Sequence, residues 1–461
     1  MEASIELIRP AASAAQVARP PMASPVAALV HAPAVALPLR FVITGLVAML
    51  MGLGLLVVRP DLLSTYHYNQ YIIAVTHLFV LGFICTIVMG AMYQLTPVAL
   101  ETQIYNVRLA RWQFIAHTVG FAGMVAMFWI WDMKQVGHFA SLLALGVGWF
   151  VYNMFRTLRS VPRWNVIAWG IASSLVWLSV TVLAGLFLAT SKCWTFSPFD
   201  AIAAMHAHAH VGVAGVFVSL IVAVSFKLVP MFALSEIQSP RRAAWSLGLL
   251  NAGLLGAATA ILFQSAAKFL FGLVLAVGLI LYAVELRAIL RARKRRALDW
   301  GLKSFLTAVA LLGPVSLLGL GLAWPGLPVT EVTSQLETLY GFLALMGVVG
   351  FAILGMLCKV VPFLVWYHSY SPHIGRSRVP SLADMGVPKL LAPGYGLFLG
   401  GLAALSLAIP NGSGSGVRVG VLILGAGVAC YLVNFAGVLS HWLKPRLQPL
   451  PVVAGTRRGT A

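Results

Sequence analysis

Long apolar runs separated by short polar segments make up most of the sequence. A helix that crosses a bilayer needs about 20 predominantly apolar residues, and twelve runs approach or exceed that length. They lie at residues 41–58, 72–97, 112–131, 139–155, 164–189, 202–229, 244–263, 269–290, 304–324, 336–363, 390–410 and 419–443. The pattern predicts an all-α integral membrane protein with twelve transmembrane helices, in a membrane domain that covers residues 38–443.

The cations between the runs alternate from one side of the membrane to the other. Segments after even-numbered runs carry most of them, including a cluster within residues 291–296, whereas segments after odd-numbered runs carry few. Because positively charged loops remain in the cytoplasm, we predict a protein of the inner (cytoplasmic) membrane with both termini cytoplasmic. Residues 1–37 are predicted to be a disordered cytoplasmic tail, and residues 444–461 a second cytoplasmic tail.

Composition excludes a soluble enzyme, a disordered chain and a nucleic-acid-binding protein. Of the 461 residues, 60% are hydrophobic and only 9% are charged, against roughly 25% charged residues in soluble domains. The formal net charge of +19 would suggest nucleic acid in a soluble protein, but here the cations lie between apolar runs. The expected partner is therefore the lipid bilayer, with no nucleic acid. The four cysteines are far apart, so no disulfide framework or CxxC metal site is predicted.

The second, sixth and tenth runs resemble one another. Aligned from His77, His210 and Phe342, they begin 133 and then 132 residues apart, which is four runs each time. The matched positions include glycines and prolines: Gly82, Gly215 and Gly347, then Pro97, Pro230 and Pro362. The chain is therefore predicted to contain three pseudo-symmetric four-helix repeats, which all point the same way and are related by an axis along the membrane normal.

The candidate functional residues are histidines that lie near one side of the membrane. His77 lies early in run two, and His206, His208 and His210 begin run six, so all four are predicted in the outer part of the bilayer. Intramembrane histidines are costly and usually functional, and imidazole is the commonest metal ligand. The structural alternatives are a hydrogen bond between helices for His77 and a polar membrane edge for His206 and His208.

The HAHAH segment leaves two arrangements open. His206 and His210 share one helical face because they are four residues apart, whereas His208 points nearly the opposite way. Either this face offers two ligands to one metal ion, or His210 binds a haem while the other two histidines face elsewhere. The candidate metal ligands are therefore His206, His208 and His210, and the candidate cofactor ligands are His77 and His210.

The sequence around His77 reads THLFVLGF, and the sequence from His206 reads HAHAHVGVAG. With twelve runs in three units, the chain resembles subunit I of the haem–copper oxidase superfamily over about residues 40–443, in a divergent branch. It is more weakly similar to the NnrS group of haem- and copper-containing membrane proteins. The resemblance implies a b-type haem near the outer face with His77 as an axial ligand. It also implies a copper ion held by one of the three histidines of run six.

The chain departs from this family at two places. Oxidases carry a histidine pair on span ten, where this chain has Phe342 at the repeat position, and another pair on span seven, where residues 244–263 contain no histidine. The usual binuclear oxygen-reducing centre is therefore not expected, and the sequence leaves enzymatic activity open. There is also no CxxCH haem attachment, so electrons would come from an external carrier or from respiratory partner subunits.

Three functions follow from this sequence. The first is a haem b protein, with His77 and His210 as ligands and copper as a possible second cofactor, that transfers electrons or handles or senses a diatomic gas such as nitric oxide or oxygen. The second is a twelve-span transporter or copper-handling permease without haem, although two six-helix halves would repeat at about 200 residues. The third is an active terminal oxidase with relocated ligands.

Overall fold

A computed structural model describes residues 35–448. Within this range the chain is helical without strands, and twelve helices are long and apolar enough to span a membrane, as the apolar runs predict. They are α1 Ala36–Val58, α2 Gln70–Leu100, α3 Val107–Ile130, α4 Met133–Leu158, α5 Val166–Trp194, α6 Ala201–Ala233, α7 Pro240–Leu262, α8 Ala267–Arg291, α9 Trp300–Leu322, α10 Glu331–His373, α11 Pro388–Ala408 and α12 Gly414–Leu443. Of the predicted tails, residues 1–34 and 449–461 lie outside the described range.

Short polar side chains begin most of these helices. The residue before the first helical turn is Asn, Asp, Ser or Thr in nine of the twelve, and its side chain accepts a backbone N–H of that turn. Such caps satisfy N–H groups that have no partner within the helix. They explain why most helices begin several residues before the apolar runs predict: a capped polar turn precedes the apolar segment.

Three helices form the interior of the bundle. Between 61% and 72% of the most apolar stretch of α2, α6 and α10 is buried, against 22% to 50% for the other nine helices. Each of the three packs on the helix before it, which is α1, α5 or α9, and the hairpins α3–α4, α7–α8 and α11–α12 pack tightly within themselves. The outer helices also contact one another from α4 to α5, from α8 to α9 and from α12 to α1.

These contacts occur in the same order three times around the bundle. That order is the one expected of three four-helix repeats, and the symmetry of the units stays a prediction. The small residues that suggested the repeat serve close packing at two of the three matched positions. A Cβ on Gly82 would lie 2.9 Å from the Cβ of Ala48, and a Cβ on Gly215 would lie 2.7 Å from Trp177, whereas Gly347 has its nearest neighbour at 3.5 Å.

Each inner helix contains a π-helical segment that the sequence pattern did not predict. The three segments, Leu78–Cys85, Val211–Val218 and Leu343–Gly350, are eight residues long. Each begins one residue after an aligned repeat position, which is residue 77, 210 or 342. The segment of α10 contacts the other two. π-helical turns are rare and are often found at functional sites. Because all three begin at the same repeat position, the residues just before them are candidate functional residues.

The buried carboxylate of Glu285 links α8 to the start of α7. Its Oε1 accepts the backbone N–H groups of Gln238 and Ser239 at 2.6 and 3.0 Å, and its Oε2 accepts Nε and Nη2 of Arg242 at 2.7 and 2.6 Å. Every acceptor position of this carboxylate is therefore used in a structural contact. Its contacts hold two helices together.

We predict that Arg242→Ala destabilises the protein strongly, whereas Arg241→Ala, at the exposed neighbouring position, does not. Removal of Arg242 leaves the charge of Glu285 buried without its counter-ion, and breaking such a pair costs about 3 kcal/mol or more. Thermal unfolding of the two variants in detergent micelles checks this. Equal melting temperatures for both variants would contradict the structural role of this ion pair.

A second ion pair joins α9 to α10. The side chain of Asp299 caps α9 by accepting the N–H of Leu302 at 3.1 Å, and it also accepts Nζ of Lys359. Burial raises the pKa of Asp299, but the hydrogen bond and charge of Lys359 lower it by more, so the pKa lies below its usual value. The charged form of this carboxylate is therefore favoured in the folded chain.

We expect Asp299→Asn to lower the free energy of unfolding by about 1 kcal/mol near neutral pH, because asparagine keeps the cap and loses the ion pair. The native pKa is lowered, so this stabilisation is fully present above about pH 4, the usual carboxyl pKa. It is lost as the pH falls through the native value. Unfolding measured from neutral to acidic pH tests this, with the exposed Glu236→Gln as control. A difference from wild type that does not shrink in acid would contradict it.

Candidate functional site

A chamber of about 1020 Å³ lies between the three inner helices and their neighbours. Its volume is at the upper end of the range of ligand pockets, which is about 300–1,000 Å³. Most of its wall is apolar, and its polar side chains include five histidines, two lysines, two carboxylates and two tyrosines. They are His67, His77, His206, His208, His210, Lys192, Lys268, Asp200, Glu337, Tyr68 and Tyr340.

The inner helices contribute to the wall in the same register. His77, His210 and Phe342 all line the chamber, and so do the residues at matched positions around them. Those positions are Thr76, Ala209 and Gly341, then Val80, Val213 and Leu345, then Leu81, Ala214 and Met346. The π-helical segments, which are wider than an α-helix and begin directly after residues 77, 210 and 342, therefore lie at the chamber wall.

His77 presents one ring nitrogen to the chamber. Its Nδ1 lies 2.7 Å from the carbonyl oxygen of Ile73, four residues earlier on α2, and its ring packs against Phe128 of α3 at 5.0 Å between centroids. Because a carbonyl only accepts hydrogen bonds, Nδ1 carries the proton and Nε2 carries the lone pair. Among the described residues, Nε2 has no hydrogen-bond partner, which is the state required of a metal or haem ligand.

His210 has the same anchor on α6. Its Nδ1 lies 2.8 Å from the carbonyl oxygen of His206, again four residues earlier, so Nε2 again carries the lone pair. Here Nε2 lies 3.4 Å from the hydroxyl of Tyr340 on α10, and the two rings stack with centroids 5.7 Å apart. His77 and His210 therefore share a helical register, a tautomer and a chamber, and they differ in the tyrosine that faces His210.

His206 lies with two residues that the sequence did not single out. Its Nε2 is 3.3 Å from Nε2 of His67, in the segment between α1 and α2, and Nε2 of His67 is 3.8 Å from Oε2 of Glu337 on α10. The three ligand atoms all lie within 4.8 Å of one another. Within residues 35–448, this is the one set of three histidine, cysteine or carboxylate side chains gathered so closely.

His208 is separated from this group. It lines the chamber and packs beside Gly185 of α5, where a Cβ would lie 3.2 Å from its Cε1. Its Nδ1 is buried without a hydrogen-bond partner among the described residues. The HAHAH segment therefore places all three histidines on one chamber, but it directs His206, His208 and His210 to three different sets of neighbours.

His67, Glu337 and Tyr340 are the polar residues that sequence reasoning missed. His67 precedes α2, and Glu337 and Tyr340 lie in the first turns of α10, at the end where His206 lies in α6. The sequence did contain a signal for this site. Histidine or glutamate side chains, which can bind metal ions, occur near the starts of all three aligned runs, although at different repeat positions. Burial lowers the pKa of His67, which keeps its imidazole neutral and its lone pair available.

Two other histidines have structural contacts away from the chamber. Nε2 of His117 lies 3.2 Å from the carbonyl oxygen of Leu81 and 3.0 Å from Oγ1 of Thr86, so it bonds to the π segment of α2. Nδ1 of His441 accepts the hydroxyl of Tyr370 at 2.6 Å. Neither lines the chamber, so the contacts of both are structural.

Comparison with known proteins adds no relative. No protein-family model matches the sequence, and no curated protein matches it. The resemblance to subunit I of the haem–copper oxidases therefore depends on the motifs around His77 and His206 and on the order of the helices.

Proposed function

We propose that this chain is a haem protein of the inner membrane, which holds a b-type haem in the chamber through His77 and His210. One observation supports the proposal above others. On two inner helices, at the residue before a π-helical segment, a histidine with its Nδ1 bound to the backbone presents Nε2 to the same cavity.

The residues of the chamber fit a haem. A hydrogen bond from Nδ1 to a carbonyl fixes the orientation and tautomer of a ligating imidazole and increases its basicity, and two neutral imidazoles suit a six-coordinate haem iron. The apolar wall would accommodate the porphyrin, and Lys192 and Lys268, which line the same chamber, would pair with its propionates. Tyr340 would give up its contact with Nε2 of His210, because one lone pair cannot serve both partners.

The ligand set favours electron transfer over oxygen reduction. Haem supplies reversible one-electron chemistry, and two histidine ligands leave no open position on the iron. α7 has no histidine and Phe342 occupies the third aligned position, so the chain lacks the residues for the binuclear centre of an oxidase. Electrons would then come from an external carrier or a respiratory partner subunit. Binding or sensing of nitric oxide or oxygen would require one imidazole to leave.

A second candidate is a permease for transition-metal ions. The observation that favours it is the set of His67, His206 and Glu337, which lies at the end of the chamber where α6 and α10 begin. A permease of this kind would purify without haem and would transport the metal into vesicles. An active terminal oxidase with relocated ligands has no such supporting set of residues, and oxygen consumption with a reduced donor would be its test.

We expect the purified full-length protein, supplied with haem during expression, to show a Soret band and a reduced-minus-oxidised spectrum typical of a b-type haem. His77→Ala and His210→Ala should each abolish this spectrum or convert it to that of a five-coordinate haem, because each removes one axial ligand. Absorption spectra of the variants, at equal amounts of monodisperse protein, provide the measurement.

Two matched histidine variants serve as controls for this experiment. His138→Ala removes a histidine outside the chamber, and His117→Gln removes a buried one that bonds to the π segment; both should keep the wild-type spectrum. If wild-type protein takes up no haem, or if His77→Ala and His210→Ala retain an unchanged spectrum, the proposed ligand pair is wrong.

A further inference from the structure

Three segments of the chain meet at the end of the chamber where α6 and α10 begin. His67 comes from the connection between α1 and α2, His206 lies in the second turn of α6, and Glu337 lies in the second turn of α10. We call these three residues the mouth cluster. Its members belong to three separate parts of the sequence. The fold brings them together, and no single sequence motif contains them.

The geometry of the two imidazoles is that of ligands around one ion. Two nitrogens bound to a tetrahedral zinc at about 2.0–2.1 Å stand about 3.3 Å apart, and the Nε2 atoms of His67 and His206 are 3.3 Å apart. The rings are inclined by 26° with their centroids 5.5 Å apart, and the two Nε2 atoms are within hydrogen-bond distance of each other, so a bound ion would replace the proton between them. Oε2 of Glu337 faces that space from α10, 3.8 Å from Nε2 of His67.

Local contacts order the chain on both sides of His67. Arg59 pairs with Asp61 at 2.7 Å before it, and the side chain of Asn69 caps α2 just after it, accepting the N–H groups of Tyr71 and Ile72. Nδ1 of His67 is buried and has no hydrogen-bond partner of good geometry among the described residues, although the backbone of Ser334 on α10 lies near enough to act on the ring. A buried imidazole whose hydrogen bonds are incomplete calls for an explanation of its position.

We propose that the mouth cluster binds one divalent transition-metal ion through Nε2 of His67, Nε2 of His206 and the carboxylate of Glu337. Two imidazoles and one carboxylate select ions such as Zn²⁺, Cu²⁺ or Fe²⁺ over Mg²⁺ and Ca²⁺, which prefer oxygen ligands. Three protein ligands leave a coordination position open. The ammonium group of Lys268 also lines the chamber, and the negative charge of Glu337 offsets its repulsion of a cation.

This site does not depend on the proposed haem. His206 contributes its backbone carbonyl to the anchor of His210 and its side chain to the mouth cluster, so the two functions use different atoms of one residue. His77 and His210 take no part in the mouth cluster. Loss of haem and loss of the metal site can therefore be observed separately in the same set of variants.

The test is titration of purified, chelator-treated full-length protein with Zn²⁺ by calorimetry and with Cu²⁺ by electron paramagnetic resonance. We expect wild-type protein to bind one ion at this site, undisturbed by excess Mg²⁺, and its Cu²⁺ spectrum to show coupling to two nitrogens. His67→Ala and Glu337→Gln should each weaken binding at least about 100-fold, because even outer partners of metal ligands contribute 10- to 100-fold.

The controls separate this site from the haem ligands and from general surface binding. Glu331→Gln changes an exposed acid in the first turn of α10, and His77→Ala removes a proposed haem ligand; both should bind the ion as wild type does. A wild-type melting temperature and a monodisperse elution profile in detergent would show that His67→Ala is folded, whether or not haem is bound. The proposal is overturned if wild-type protein binds no ion with two-nitrogen coupling, or if His67→Ala and Glu337→Gln bind Zn²⁺ as tightly as wild type.

Discussion

A bilayer offers no water to backbone groups, so every irregular turn inside it must be satisfied by the protein. Two of the three inner helices meet this constraint with a side chain where they widen into π-helical segments, whereas the matched position on α10 is Phe351. On α2 the carbonyl of Leu81 accepts the hydroxyl of Thr86 at 2.8 Å and Nε2 of His117 at 3.2 Å. On α6 the matched carbonyl of Ala214 accepts the hydroxyl of Ser219 at 3.1 Å. Side chains thus reinforce the widened turns at equivalent places.

The chamber and its histidines depend on these turns. The widening begins one residue after positions 77, 210 and 342, and each of these residues lines the chamber. A histidine at this position bonds through Nδ1 to the last regular α-helical turn before the π segment and presents Nε2 to the interior. The third copy carries Phe342 instead, and α10 supplies Tyr340 to the same region, two residues earlier. The third copy therefore offers no imidazole at the position where the other two do.

The sequence predicted the features that depend on local pattern. Twelve apolar runs indicated twelve helices, and the repeat placed His77 and His210 at matched positions, which the structure puts on the wall of one chamber. The π segments escaped prediction because their composition does not differ from that of an apolar α-helix. The mouth cluster was not predicted because it joins a connecting segment to two helices that are far apart along the chain. The predicted depth of a residue in the membrane cannot show which other residues it contacts.

Local pattern also could not distinguish structural from functional polar residues. Glu285 is a carboxylate within an apolar run, and its four contacts show that it holds α7 to α8. His117 resembles His77 in sequence context, since both lie in apolar runs, yet its contacts hold a π segment. The hydrogen-bond partners of Glu285 and His117 reveal their structural roles, and those partners lie 31 to 47 residues away along the chain.

The central claim is that His77 and His210 hold one prosthetic group between them. An experimental structure of the purified full-length protein, determined by electron cryo-microscopy in a lipid environment, tests it most directly. The account predicts planar density of porphyrin size in the chamber, contacted by Nε2 of both histidines, with Tyr340 moved away from His210. A chamber filled only by lipid or solvent in a haem-supplied sample, with the two imidazoles directed elsewhere, would contradict it.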